Sequence, residues 1–270
     1  MPDVVGILGH LDCSAAMVWF RAMKYVNRAQ DCQPTVKRWV DGALNFCLPC
    51  RCVVCGLQNR AGNLCAPCRQ QLPMCEAACM VCGLALDDLK VTICGGCQGR
   101  QPACEAVLAA CWYEFPVRQL VARFKFQADL VAGRVLSDLL LERIGRQSAP
   151  APDALIPVPL HSRRLSRRGF NQAYEIGRRI HSVLGHKLIG TGLRRVRATR
   201  PQTGLKAAQR RVNLAGAFKW RGPAVRGAHL VLVDDVMTTG QTLQSCSAVL
   251  REAGAARVEA WVLARAGNGA

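Results

Sequence analysis

Between residues 231 and 243 the chain reads VLVDDVMTTGQTL: an apolar run, two adjacent carboxylates, then a turn rich in hydroxyls. If VLVDD closes a strand and QTLQSCSAVL opens a helix, the loop amides and the helix N-terminus between them form an anion site of phosphate size. Thr238, Thr239 and Thr242 add hydroxyl donors, Gly240 allows close backbone approach, and Val236, Met237 and Gln241 complete the loop. Asp234 and Asp235 would repel a bare phosphate. They suit a ligand that carries neutral hydroxyls beside its phosphate, as a ribose 5-phosphate does. The competing reading is a strand-turn-helix with capping threonines and two solvated aspartates.

Cysteine is the second reactive group. The chain has 16, concentrated between residues 47 and 111. Four CxxC units follow one another: Cys52 and Cys55, Cys65 and Cys68, Cys79 and Cys82, Cys94 and Cys97. Each unit lets a tight turn aim two thiolates at one ion, and two units complete a tetrahedral zinc site. The simplest pairing gives two structural Zn2+ sites, 52/55/65/68 and 79/82/94/97, and crossed pairing stays open. A fifth unit, Cys47 and Cys50, competes with Cys52 and Cys55. The nine-residue gap from Cys55 to Cys65, closer than the fourteen from Cys50 to the eleven between Cys82 and Cys94, favours the latter pair. Cys13, Cys32, Cys75, Cys104, Cys111 and Cys246 read as small hydrophobes.

The elements that must hold these groups follow from periodicity. AVLAACWYEF reads as a strand, PVRQLVARFKF as a short helix, and LVAGRVLSDLLLERIG as an amphipathic helix. After the loop QSAPAPD come the strand ALIPVPL, the helix NQAYEIGRRIHSVLG, the buried strand HLVLVDD, the helix QTLQSCSAVLREAG and the strand ARVEAWVLA. Strands alternating with helices predict an α/β fold, a mostly parallel sheet with helices on both faces. Ligands then sit at the carboxyl ends of strands, where the aspartates stand. The divisions are an N-terminal extension of unknown structure (1–46), a small zinc-ribbon module (47–100) and the α/β domain (101–270).

Net charge is +18, and the segment from His161 to Arg226 carries 17 Lys and Arg against one acid, Glu175, a local balance of +16. Such a block favours polyanions; a solvated arginine-rich surface is the alternative. No apolar run reaches the roughly 18 residues of a membrane span, and the first residues lack a basic leader pattern. The expectation is a cytoplasmic protein without membrane insertion. His161, His181, His186 and His229 are assigned no role.

VLVDDVMTTGQTL resembles the 5-phosphoribosyl 1-pyrophosphate (PRPP) motif of type I phosphoribosyltransferases. A Cys-rich module, then IPVPLHSRRLSRRGFNQA, TRPQTGLKAAQRRVNLAGAF and the PRPP motif is similar in order to the ComF family of bacterial competence-associated proteins, which includes GntX-like members. The similarity runs from about residue 52 to 266. The resemblance implies that Asp234 and Asp235 hold the ribose hydroxyls and assist catalysis, and that residues 238–242 wrap the 5-phosphate, with Mg2+ on the pyrophosphate. It implies Arg163, Arg164 and Arg168 as pyrophosphate partners, and a hood carrying Arg194, Arg195, Gln202, Thr203, Arg210, Arg211 and Asn213. It further implies a role in DNA uptake and transformation, with single-stranded DNA and DNA-uptake or recombination proteins as partners. Phe170 and Trp220 are the aromatic candidates for base stacking. A metabolic enzyme transferring phosphoribose to a base or amine, and a DNA-binding adaptor without chemistry, are the rival readings.

Overall fold

In a computed structural model the described residues are 50–88, 90–147, 149–197 and 216–267. The extension 1–46, Cys47 and the hood positions Gln202, Thr203, Arg210, Arg211 and Asn213 lie outside them. The order is α1 (Ala66–Gln70), β1 (Ala106–Trp112), α2 (Val117–Phe126), α3 (Leu130–Gly145), β2 (Ala154–Pro157), α4 (Ser162–Arg168) and α5 (Gln172–Leu184). There follow β3 (Leu193–Arg195), β4 (Phe218–Trp220), β5 (His229–Met237), α6 (Gln241–Glu252) and β6 (Arg257–Arg265).

β1, β6, β5 and β2 form a parallel sheet in that spatial order, with Val233 opposite Trp261 on one side and Pro157 on the other. The central strands read as continuous apolar runs because both faces are covered. Odd-numbered residues of β5, Val231 and Val233, pack with α2, α3 and α5; even-numbered Leu230 and Leu232 pack with Leu243, Cys246 and Leu250 of α6. The period of two thus divides one strand between two cores.

Local chemistry sets the ends. Asp129 caps α3 by accepting from the Ala132 amide, Asn171 caps α5 through the Ala173 amide, and Gly185 ends α5 at φ +74°. Several boundaries differ from the sequence reading; β1 ends at Trp112, and β5 runs on through Val236 and Met237, read from the sequence as loop, because both still pair with β6. ALIPVPL stays extended only to Pro157, and SRRLSRR, given no element by periodicity, winds into α4, which His161 caps by accepting from the Arg163 amide. β3 and β4 form an antiparallel pair that the periodicity did not announce, since three residues are too few to display a pattern.

The cysteine-rich segment is packed against the sheet. Cys75 donates its amide to the Ala110 carbonyl, and the Trp112 amide donates to Pro73, along the outer edge of β1. Val53 and Leu72 enter the core beneath α3. Cys75, Cys104, Cys111 and Cys246 are buried, and burial raises each thiol's pKa, as expected of small apolar residues.

Candidate functional site

β5 carries its apolar residues to Val233, and then two carboxylates at the carboxyl edge of the sheet. Because alternate side chains leave opposite faces, Asp234 and Asp235 diverge. Asp235 is buried on the α2 side, where Lys125 Nζ meets Oδ1 at 2.8 Å. Asp234 is partly buried, and so closely surrounded that its pKa is raised to about 7. Burial is the main cause and the charge of Asp235 the next; the amide of Asp235, bonded to Asp234 Oδ1 at 2.8 Å, opposes both, as do Lys125 and Arg195.

Beyond the aspartates the strand continues to Met237, and Thr238–Gly240 turn into α6. Gly240 is the helix cap at φ +74°, a conformation that favours glycine, and the Met237 methyl packs close against it. Asp234 and Val236–Leu243 line a cavity of about 90 Å3. Thr238 and Thr239 are exposed, and the first amides of α6 sit at its rim. All the loop positions singled out by sequence therefore surround one small polar cavity.

The expected arginines divide. Burial lowers the pKa of Arg195, Arg164 lowers it further and Asp234 opposes both; Arg164 is lowered by burial and then by Arg168. Arg164, Arg195 and Asp234 thus share one electrostatic neighbourhood with an excess of positive charge. Arg168 donates to Gln172 Oε1 at 3.0 Å and lies 5.2 Å from the ring centre of Phe126. Arg163 and Arg194 are exposed.

Both aromatics singled out for stacking are partly buried. Phe170 packs 5.5 Å from Phe124, and Trp220 lies over Gly192 and Gly222 with Nε1 donating to Pro223. Phe126 and Phe115 are instead 69% and 67% exposed. Phe126 and Lys125 escaped the sequence reading because they lie in an ordinary amphipathic helix; only packing brings α2 over the end of β5. Gln172, 1% exposed and with Nε2 unpaired among the described residues, was likewise noticed only as part of a motif.

The two sets of four cysteines meet as spacing predicted, 52/55/65/68 and 79/82/94/97, with all four sulfurs of each within 4.8 Å of one another. Cys50 stands outside both clusters. Tetrahedral zinc at about 2.3 Å from each sulfur places sulfurs about 3.8 Å apart; Cys55 and Cys65 are 3.9 Å apart, Cys82 and Cys94 3.7 Å. Amides of Cys65 and Cys94 donate to Cys52 and Cys79 Sγ. Burial works against ionisation of those two thiols, but backbone donors outweigh it and bring each to about 6. The arrangement fits zinc-ribbon modules, and a divalent cation there would offset the repulsion among crowded thiolates.

A parallel sheet with helices on both faces, an acidic pair above a phosphate-sized turn and two four-cysteine clusters define a phosphoribosyltransferase-like protein with an N-terminal ribbon module. The phosphoribosyl transferase domain family matches residues 166–270. Competence protein F of Haemophilus influenzae is 35% identical over 227 residues, covering 80% of this chain and 97% of that protein. DNA utilization protein YhgH of Salmonella typhi is 40% identical over 157 residues, covering 57% and 69%. Competence protein ComFC of Bacillus subtilis is 28% identical over 157 residues, covering 57% and 61%. The chain belongs to the ComF family of competence-associated, phosphoribosyltransferase-like proteins.

Proposed function

We propose that the site binds PRPP with Mg2+ and that the protein is a PRPP-dependent enzyme serving DNA uptake in the cytoplasm. The observation that carries this is Asp234, which lines the same small cavity as Val236–Leu243, with Asp235 beside it in β5. The cavity takes the 5-phosphate on the amides of the turn and α6. Asp234 and Asp235 take ribose hydroxyls, and Mg2+ accompanies the pyrophosphate through its oxygens and water. As the bond from ribose C1 to pyrophosphate breaks, the leaving group carries off the electron pair toward Arg164 and Arg195. The carboxylates stabilise the positive charge developing on the ribose ring, and the acceptor's nucleophile closes the new bond at C1.

Single-stranded DNA is the macromolecular partner in this reading. Its stacking surface is Phe126, exposed beside Arg168 and next in sequence to Lys125, rather than Phe170 or Trp220. The four-cysteine clusters bind structural zinc and hold the ribbon folded.

Calorimetric titration of Mg2+ and PRPP into zinc-loaded protein tests the reading, beside the Asp234→Asn, Asp235→Asn double variant. Binding by the wild type and its loss in the variant is the expected result. A folded wild type that takes up no PRPP would refute it and favour a DNA-binding adaptor. Rapid turnover with one nucleobase and no salt-sensitive DNA affinity would favour a metabolic transferase.

A further inference from the structure

Arg265 closes β6 and is only 4% exposed. Its hydrogen bonds run to backbone carbonyls. Nε donates to Cys82 O at 2.9 Å, while Nη1 faces the carbonyls of Met237 at 3.3 Å, Thr238 at 2.5 Å and Ala266. One buried guanidinium therefore joins a cysteine of the second cluster to the first turn of the phosphate loop, 155 residues further along the chain.

The two ribbons differ at this point. Gly56 and Gly83 both follow the second cysteine of a knuckle at positive φ, +75° and +68°. A Cβ on Gly56 would meet open space, whereas one on Gly83 would lie 3.3 Å from Arg265 Cδ and 3.5 Å from Nε. Both knuckles need glycine for their turns; at the second, Val107 Cγ1 at 3.2 Å and the Arg265 side chain also press on that position. The same knuckle is tied to the sheet by the Val107 amide, which donates to Met80 O at 2.7 Å.

We propose that the second four-cysteine cluster sets the geometry of the phosphate loop through Arg265, so that metal occupancy at 79/82/94/97 and anion affinity at 236–243 are energetically coupled. A metal fixes Cys82 Sγ and with it the knuckle carbonyl. Arg265 transmits that position to the Met237 and Thr238 carbonyls. In trans peptides the N–H opposes the C=O, so holding those carbonyls aims the Thr238 and Thr239 amides away from Arg265. Linkage makes the coupling reciprocal: an anion on the loop tightens the metal site in turn. Arg265 acts here as a positioning residue, and only the identity of the anion rests on the PRPP reading.

The test is a cycle of Arg265→Met, Cys94→Ser and their combination in otherwise zinc-loaded protein, with Cys65→Ser as the first-cluster comparison. Bound zinc, amide hydrogen exchange over 236–243 and Mg2+-PRPP titration are the readouts. Arg265→Met is expected to retain two zinc ions while exchange in the loop accelerates about tenfold and PRPP affinity falls about tenfold, the usual scale of coupling between sites. Cys94→Ser gives the same effect, the combination adds little to either, and Cys65→Ser leaves the loop unchanged. Should Arg265→Met fail to fold, Arg265→Lys keeps the charge without the fork and carries the same expectation. Unchanged exchange in a zinc-replete Arg265 variant, or simple additivity, overturns the coupling. Absence of PRPP binding by the wild type would instead sink the PRPP reading, while the exchange arm still decides the coupling.

Discussion

Asp234→Asn should stabilise the protein while abolishing the affinity assigned to the site. The folded chain holds a proton on Asp234 up to about pH 7, whereas the ordinary carboxyl releases it at 3.8. Between those values the folded state binds more protons than the unfolded one, so stability falls as pH rises and levels off above about 7. The full difference corresponds to about 4 kcal/mol, at about 1.4 kcal/mol per pH interval. Because Asp235 shares the repulsion, about 2–4 kcal/mol is expected from the single substitution. Asparagine keeps an oxygen to accept the Asp235 amide and removes only the charge. Urea denaturation of wild type and variant between pH 5.5 and 8.5 measures the effect, urea being used because salt would screen it. The variant's advantage should widen from pH 5.5 to about 7 and then hold constant. Equal stability at pH 8, or an advantage independent of pH, would refute the claim that this carboxylate is held at a cost for its function.

The ion pair behind the site gives the opposite sign. Lys125→Met leaves Asp235 charged and buried without its cation, and should cost about 3–5 kcal/mol in thermal or urea unfolding; adding Asp235→Asn should restore most of it. Chelation at neutral pH should release two zinc ions per chain, read with a colorimetric zinc indicator, and expose the Val53 and Leu72 contacts to proteolysis. Phe126→Ala, at a side chain 69% exposed, should leave the melting temperature within a degree or two. It should weaken single-stranded DNA binding by about 1–3 kcal/mol, the scale of one base stacked on an aromatic ring. Unchanged binding in a fluorescence titration would remove Phe126 from the DNA surface.

Much of the site was legible because it is local. VLVDDVMTTGQTL contains the strand, the acidic pair, the turn and the helix start within 13 residues, so composition and order suffice to describe a cavity. The cysteine clusters were largely legible for the same reason: a CxxC turn brings two thiols together, while the structure decided between the simplest and the crossed pairing of the units. Helix α3 was legible as a helix over its full 16 residues, though it is buried around more of its circumference than one stripe. The sequence reading failed where elements were short or partners distant. Seven residues of α4 carry no apolar pattern, being held by a cap and buried on neither face, and Phe170 and Trp220 could not be told from exposed aromatics without their neighbours.

By itself, then, the sequence determined the alternation of strands and helices, the cysteines that enter the two four-cysteine clusters and the order of groups in the turn after β5. These depend on interactions spanning a few residues. Tertiary structure alone decided that Lys125 neutralises Asp235, that Arg195 stands between Arg164 and Asp234 in charge, and that Arg265 links Cys82 to Thr238. Each of those joins residues dozens to nearly two hundred positions apart. Such contacts arise from the packing of helices on the sheet and of the ribbon along β1, and electrostatics in a poorly solvated interior depends on where side chains finally meet.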